Sequence, residues 1–195
     1  RLLLVIVNFW YLGTAGGGST AVSTAADLKT ALEATTPATI NVTADIAMDA
    51  RIEIGADHTL NIADGVTVST ENQRLTIPEG KTLTVSGPGT LRVNKSSGTG
   101  VAVTGTLKLA AGSTLAVENS GDDSVGVELG NSVFAPDNTT LLHTPGVLES
   151  NGGSILLANS GAYSFAIGGS SDERNDRISL NGGSLTVQNT GNNSN

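Results

Sequence analysis

The sequence predicts an all-β chain, a right-handed parallel β-helix. It is a three-faced solenoid of roughly 23–24 residues per coil with a short N-terminal capping helix. Three observations lead there. One phrase recurs from Arg51 to Val127, as IEIGADHTLNI, LNIADGVTV, LTIPEGKTLTV and LKLAAGSTLAV. Thr59, Thr82 and Thr106 fall 23 and 24 residues apart, as do Thr67, Thr90 and Thr114, and each precedes an apolar residue. Within each strand the apolar residues alternate, as in Leu83-Thr84-Val85, so one set points inward and the other to solvent. One coil cannot bury its own apolar face, whereas stacked coils bury a continuous Leu/Ile/Val column. In that stack Leu60, Leu83 and Leu107 should lie one above another, as should Ile52, Leu75 and Val101.

Residues 1–18 open with RLLLVIVNFWYL, a basic residue and an apolar run, followed by small residues from Gly13. This reads as a secretory signal peptide that lacks its first residues. The run is short of the ~20 residues a membrane span needs. A buried first strand is the other reading. Phe9 and Trp10 fall here and are not expected to stack on a ligand.

Residues 19–50 should form the N-terminal cap and first coil. Thr24–Ala34 is the helical stretch: Thr24 and Asp27 resemble a capping box. Ala25, Leu28, Ala31 and Leu32 share a face opposite Lys29 and Glu33. Such a helix covers the open end of a parallel stack, where core and unpaired backbone would otherwise be bare. Ile40, Val42 and Ile46 begin the first coil.

Residues 51–195 continue as β-helix, with Pro78 in a turn. Asn131–Ser150, with Phe134, Pro136, His143 and Pro145, reads as a longer loop. The coil then resumes: STLAVENSGDDSVGV (113–127) matches GSILLANSGAYSFAI (153–167), and Asn151-Gly-Gly-Ser recurs at Asn181. Asn195 falls inside a third copy, so the natural chain is expected to continue beyond it.

Composition agrees with a narrow, branched-aliphatic interior: aromatics are 3% and Gly is 25 of 195 residues. A net charge of −8 argues against nucleic acid and anionic membrane surfaces, which need clustered Lys and Arg. The absence of Cys excludes disulfides, thiolate metal sites and Cys nucleophiles.

The repeat resembles the pectate-lyase-like parallel β-helix superfamily and the surface adhesins and autotransporter passengers built on it. The resemblance covers roughly Ile40 to the end and concerns architecture. It implies one chemical candidate, Gly121-Asp122-Asp123-Ser124. Polygalacturonase-like members carry a Gly-Asp-Asp phrase whose carboxylates act as general acid and base in inverting hydrolysis. Against Asp122 and Asp123 in that role, the family's Asn-Thr-Asp, Gly-His-Gly and Arg-x-Lys phrases are missing. The internal copies also put Ala162-Tyr163 and Asn192-Asn193 at the same place, which suits a solvated turn.

Other candidates are weaker still. Asp172, Glu173 and Asp176 could supply oxygen ligands to calcium, but Arg174 and Arg177 among them point to a salt-bridged loop, and no metal or other cofactor is expected. His58 and His143 have no metal-ligand spacing to a partner. An ice-binding Thr array is interrupted at Lys108. The expected function is therefore a non-enzymatic, exported β-helical stalk or passenger of a bacterial cell-surface adhesin-like protein. It would present loops, Asn131–Ser150 first, to a host or environmental glycan or protein surface. The mature chain is not expected to insert in a membrane. The alternative is a carbohydrate-active enzyme of the polygalacturonase or pectate-lyase type, with further catalytic residues beyond the sequence.

Overall fold

The computed structural model describes residues 17–169 and 175–191. Most of the leader-like segment (1–16), together with Asp172 and Glu173, lies outside the described residues. Three parallel sheets carry the fold. Sheet A holds Gly18–Val22, Ala38–Val42, His58–Ile62, Thr82–Ser86, Thr106–Leu109, Val147–Ser150 and Arg177–Leu180. Sheet B holds Ile46–Ala47, Thr67–Ser69, Thr90–Lys95, Thr114–Asn119, Ser154–Asn159 and Ser184–Asn189. Sheet C holds Ile52–Glu53, Leu75–Ile77, Thr99–Val103, Val125–Leu129 and Phe165–Gly169. From Ala38 onward the chain visits A, B and C in turn and returns to A one strand along, so successive windings stack as a three-sheet β-solenoid.

Alternation places the core. Leu, Ile and Val side chains from all three sheets form one buried cluster reaching from Val22 to Ala166. In sheet B, Thr67, Thr90 and Thr114 are in register, followed by Ser154 and Ser184, as their spacing predicts. Inward of them stack Val68, Leu91, Leu115, Ile155 and Leu185. In sheet C, Ile52, Leu75 and Val101 stack as expected, with Val127 and Ile167 continuing the column. In the last described winding Leu185 stacks on Ile155 and is 49% exposed.

Sheet A departs from the expected stack. Leu83 and Leu107 are in register, but Leu60 pairs with Val85, and it is His58 that lies beside Leu83. The slip is two residues, so every inward side chain stays inward; a slip of one would have turned the set to solvent. Two contacts go with this register. Buried His58 donates from Nε2 to the Ala34 carbonyl at 3.0 Å. On the outer face Ser19, Asn41, Asn61 and Ser86 form a hydrogen-bonded ladder. The Thr column of sheet A accordingly runs Thr39, Thr59, Thr84 and ends at Lys108.

The helix spans Ala25–Glu33. Thr24 is its N-cap: the hydroxyl accepts from Asp27 N at 3.2 Å and donates to Asp27 Oδ2 at 2.7 Å. Leu28 and Leu32 are buried against sheets A and C, and Lys29 pairs with Glu33 outside. At its other end, Gly55 N donates to Leu32 O at 2.9 Å, and His58 takes Ala34 O. The first winding thus satisfies carbonyls that a helix end leaves open.

The excursion is shorter than 131–150. Asn131–Phe134 and Leu141–Thr144 form an antiparallel hairpin, and Val147–Ser150 is already back in sheet A against Thr106–Leu109. The alternation of this strand, Leu148 and Ser150 inward and Val147 and Glu149 outward, is that of a coil strand, which the neighbouring Pro145 obscures in the sequence.

Candidate functional site

The hairpin is built from its turn. The Asp137 carboxylate accepts the N–H groups of Thr139 and Thr140 at 2.9 Å each and the Thr140 hydroxyl at 2.7 Å. These bonds, the Thr140 backbone N–H foremost, hold the Asp137 carboxyl well below the usual carboxylate range. Asn138 has φ 53°, a conformation Asn tolerates better than most residues. The strands then carry large apolar side chains into solvent: Val133 is 51%, Phe134 65% and Leu142 50% exposed.

At the hairpin's base Ser132 faces His143 across the strand pair. Ser132 Oγ lies 2.9 Å from His143 Nδ1, and His143 Nε2 lies 3.1 Å from Asp176 Oδ1. Asp176 stands just before Arg177–Leu180 of the next winding. Its Oδ1 also accepts Gly146 N at 2.8 Å, while its Oδ2 is buried with no partner. The His143 and Asp176 side chains are only 6% and 9% exposed. Gly130 makes room for them. It has φ 73°, and a Cβ there would stand 2.4 Å from Asp176 Oδ1 and 2.6 Å from His143 Cε1. A cleft of about 340 Å³, lined by Leu129, Phe165, Ile167 and Ile178, opens beside Asp176.

The structure places Asp122 and Asp123 on an exposed turn after Thr114–Asn119. Asp122 Oδ1 accepts Ala162 N at 2.8 Å, and Asp123 N donates to Ala162 O at 3.0 Å. Asp123 and Tyr163 share φ 52° in their stacked turns. The Asp122 carboxylate and the Asp123 backbone therefore meet the next winding's turn. Asp176 lies away from them, on His143, and among the described residues no group of three acidic or histidine side chains could hold a metal. His58 sits in the core beneath the helix end.

A second surface is a polar groove of about 550 Å³ along the outer edge of sheet B. Asn94, Glu118, Ala158 and Gln188 occupy one register position in successive windings and line it. Arg92 pairs with Glu118, which holds the guanidinium in its charged form. Burial pulls the Lys95 ammonium below the ordinary lysine range, helped by Arg74, and Lys95 donates to Asn72 O. The groove thus offers donors and acceptors repeating at the strand spacing of ~4.8 Å.

Neither the Ser132–His143–Asp176 line nor the groove is evident from residue spacing. His143 and Asp176 are 33 residues apart and meet only because one winding stacks on the next. A signal for half of it exists. Asn131-Ser-Val-Phe and Leu141-Leu-His-Thr flank a Pro-Asp-Asn turn, which reads as a hairpin and sets Ser132 opposite His143. Among the described residues no helix is long and apolar enough to cross a membrane. Comparison of the chain with protein-family models, with curated proteins and with solved structures gave no match.

Proposed function

We propose that this chain is an exported, right-handed β-helical stalk or passenger of a bacterial cell-surface adhesin-like protein, of the pectate-lyase-like type. Its hairpin and polar groove would be the contact surfaces. The observation that carries the reading is the hairpin. Val133, Phe134 and Leu142 stand half or more exposed on a projection from the stack, and such exposed apolar groups on a soluble chain mark contact sites. A stack whose windings each lock to their neighbours is a rigid mount for them. The groove's amides, hydroxyls and Arg92–Glu118 pair suit a polyhydroxylated chain such as a glycan laid along the axis.

The test is binding of the purified chain to arrayed glycans and to immobilised surface proteins. The triple variant Val133→Ser/Phe134→Ser/Leu142→Ser should weaken binding at least about 10-fold, as loss of buried apolar anchors does. Arg92→Ala should weaken glycan binding alone. Absence of binding, or binding indifferent to both variants, contradicts the proposal. Turnover of polygalacturonate abolished by Asp123→Asn would establish the enzymatic alternative instead.

A further inference from the structure

We propose that Ser132, His143 and Asp176 form a nucleophile, base and orienting acid, and that the hairpin base is an acyl-transfer site for carboxylic esters bearing an apolar acyl group. The proposal stands on the hydrogen-bond line and does not depend on the adhesin reading.

The proton positions follow from the partners. A carboxylate oxygen only accepts, so His143 Nε2 carries the hydrogen given to Asp176 Oδ1. In the neutral ring Nδ1 is then the lone-pair nitrogen, and the Ser132 hydroxyl, 2.9 Å away, donates to it. This is the arrangement that lets an imidazole take a hydroxyl proton, with the ring held in one tautomer by the acid behind it. The acid behind the ring is itself short of partners. Asp176 is more than nine-tenths buried, and its Oδ2 has no hydrogen-bond partner. A buried carboxylate left short of partners is stabilised by an adjacent positive charge. That charge appears when His143 becomes imidazolium, as Ser132 loses its proton.

Access and substrate class come from the hairpin register. Ser132 is half-buried, not sealed, and the His143 side chain beneath it is 6% exposed. The next pair on the same face, two residues along each strand, is Phe134 and Leu141. Phe134 is 65% exposed, so an apolar shelf stands one pair away from the hydroxyl. An ester whose acyl group lies on that shelf brings its carbonyl over Ser132.

The steps balance without any further reagent. Ser132 Oγ bonds to the carbonyl carbon, and its proton passes to His143 Nδ1. The carbon–oxygen bond to the alcohol breaks, and the alkoxide leaves with that proton. Water then attacks the acyl carbon and gives a proton to Nδ1. The acyl–Oγ bond breaks, and the proton returns to Ser132. Ser132 and His143 are the catalytic residues; Asp176 is a positioning residue.

The experiment treats the full chain with an alkyl fluorophosphonate, maps the adduct by mass spectrometry, and follows hydrolysis of p-nitrophenyl butyrate. The expected result is one adduct, on Ser132, absent from Ser132→Ala, which keeps the His143–Asp176 pair. His143→Gln should slow both reactions at least about 10²-fold. Asp176→Asn keeps an acceptor for Gly146 N–H and His143 Nε2–H but removes the charge. It should lower kcat at least about 10-fold with KM unchanged, a split that a merely structural role would not give. Labelling equal in Ser132→Ala, or no labelling at all in chain whose circular dichroism shows the β-fold, overturns the proposal and leaves the three residues as a docking pin.

Discussion

Leu107→Ala destabilises the chain by about 3–4 kcal/mol in urea unfolding, whereas Leu185→Ala costs less than about 1 kcal/mol. Both are inward leucines of the same repeat. Leu107 is fully buried in mid-stack, in register with Leu83 on one side and Leu148 on the other. Truncation there removes contacts on both sides and leaves a cavity that neighbours pinned by their own strand pairing fill poorly. Leu185 lies in the last described winding, half exposed, with Ile155 beside it on one side. In a quasi-one-dimensional stack, stability is a sum over windings and nearest-neighbour interfaces, so position along the axis sets the cost. Equal costs at the two positions would mean that the number of stacked neighbours, two for Leu107 in sheet A and one for Leu185 in sheet B, does not set the cost.

Asn119→Ala costs about 2–4 kcal/mol, although it removes no large apolar group. Asn119 is 1% exposed at the inner end of Thr114–Asn119. Its Nδ2 donates to Ser124 O at 3.1 Å and to Phe165 O at 3.0 Å, and its Oδ1 accepts the Ser124 hydroxyl at 2.7 Å. One side chain therefore closes its own turn and ties it to the next winding. Removing it strands two carbonyls in a dry interior, the asymmetric case in which loss of one partner costs most. Asn159 and Ser164 repeat the device one winding on, at 3.0 Å in both directions. Gly121 completes it, since a Cβ there would stand 2.0 Å from Ser96 O. Thermal unfolding of Asn119→Ala, Ser124→Ala and the double variant checks this. The two single costs should exceed the double's shortfall from additivity, with a coupling of about 1 kcal/mol or more. Additive costs would contradict it.

These two residues show what the sequence made legible. The column of Leu107 was visible because alternation of period two and a nearly constant coil length both survive in the residues. The partner of Leu60 was not, because a two-residue slip preserves the same alternation; the register shows in contacts such as the Ser86–Asn61 hydrogen bond across the pair. The repeat Asn-Ser-Gly-x-x-Ser was equally visible as a recurrence, and its variable pair is indeed an exposed turn. Its invariant Asn and Ser work inside, through hydrogen bonds that leave no periodic trace. The hairpin base was hidden for another reason. Ser132, His143 and Asp176 come from three separate segments, and their meeting depends on how far the winding after Val147 travels before Arg177.

Disulfide trapping tests the stack most directly, since the chain contains no Cys of its own. Residues in register on neighbouring parallel strands stand ~4.8 Å apart, within bridging reach, whereas a two-residue offset adds ~6.6 Å along the strand and exceeds it. Thr90→Cys/Thr114→Cys and Thr59→Cys/Thr84→Cys should oxidise to intramolecular disulfides faster than Thr59→Cys/Thr82→Cys. Preferential closure of the Thr59–Thr82 pair, or failure of the Thr90–Thr114 pair to close, would contradict the winding described for this chain.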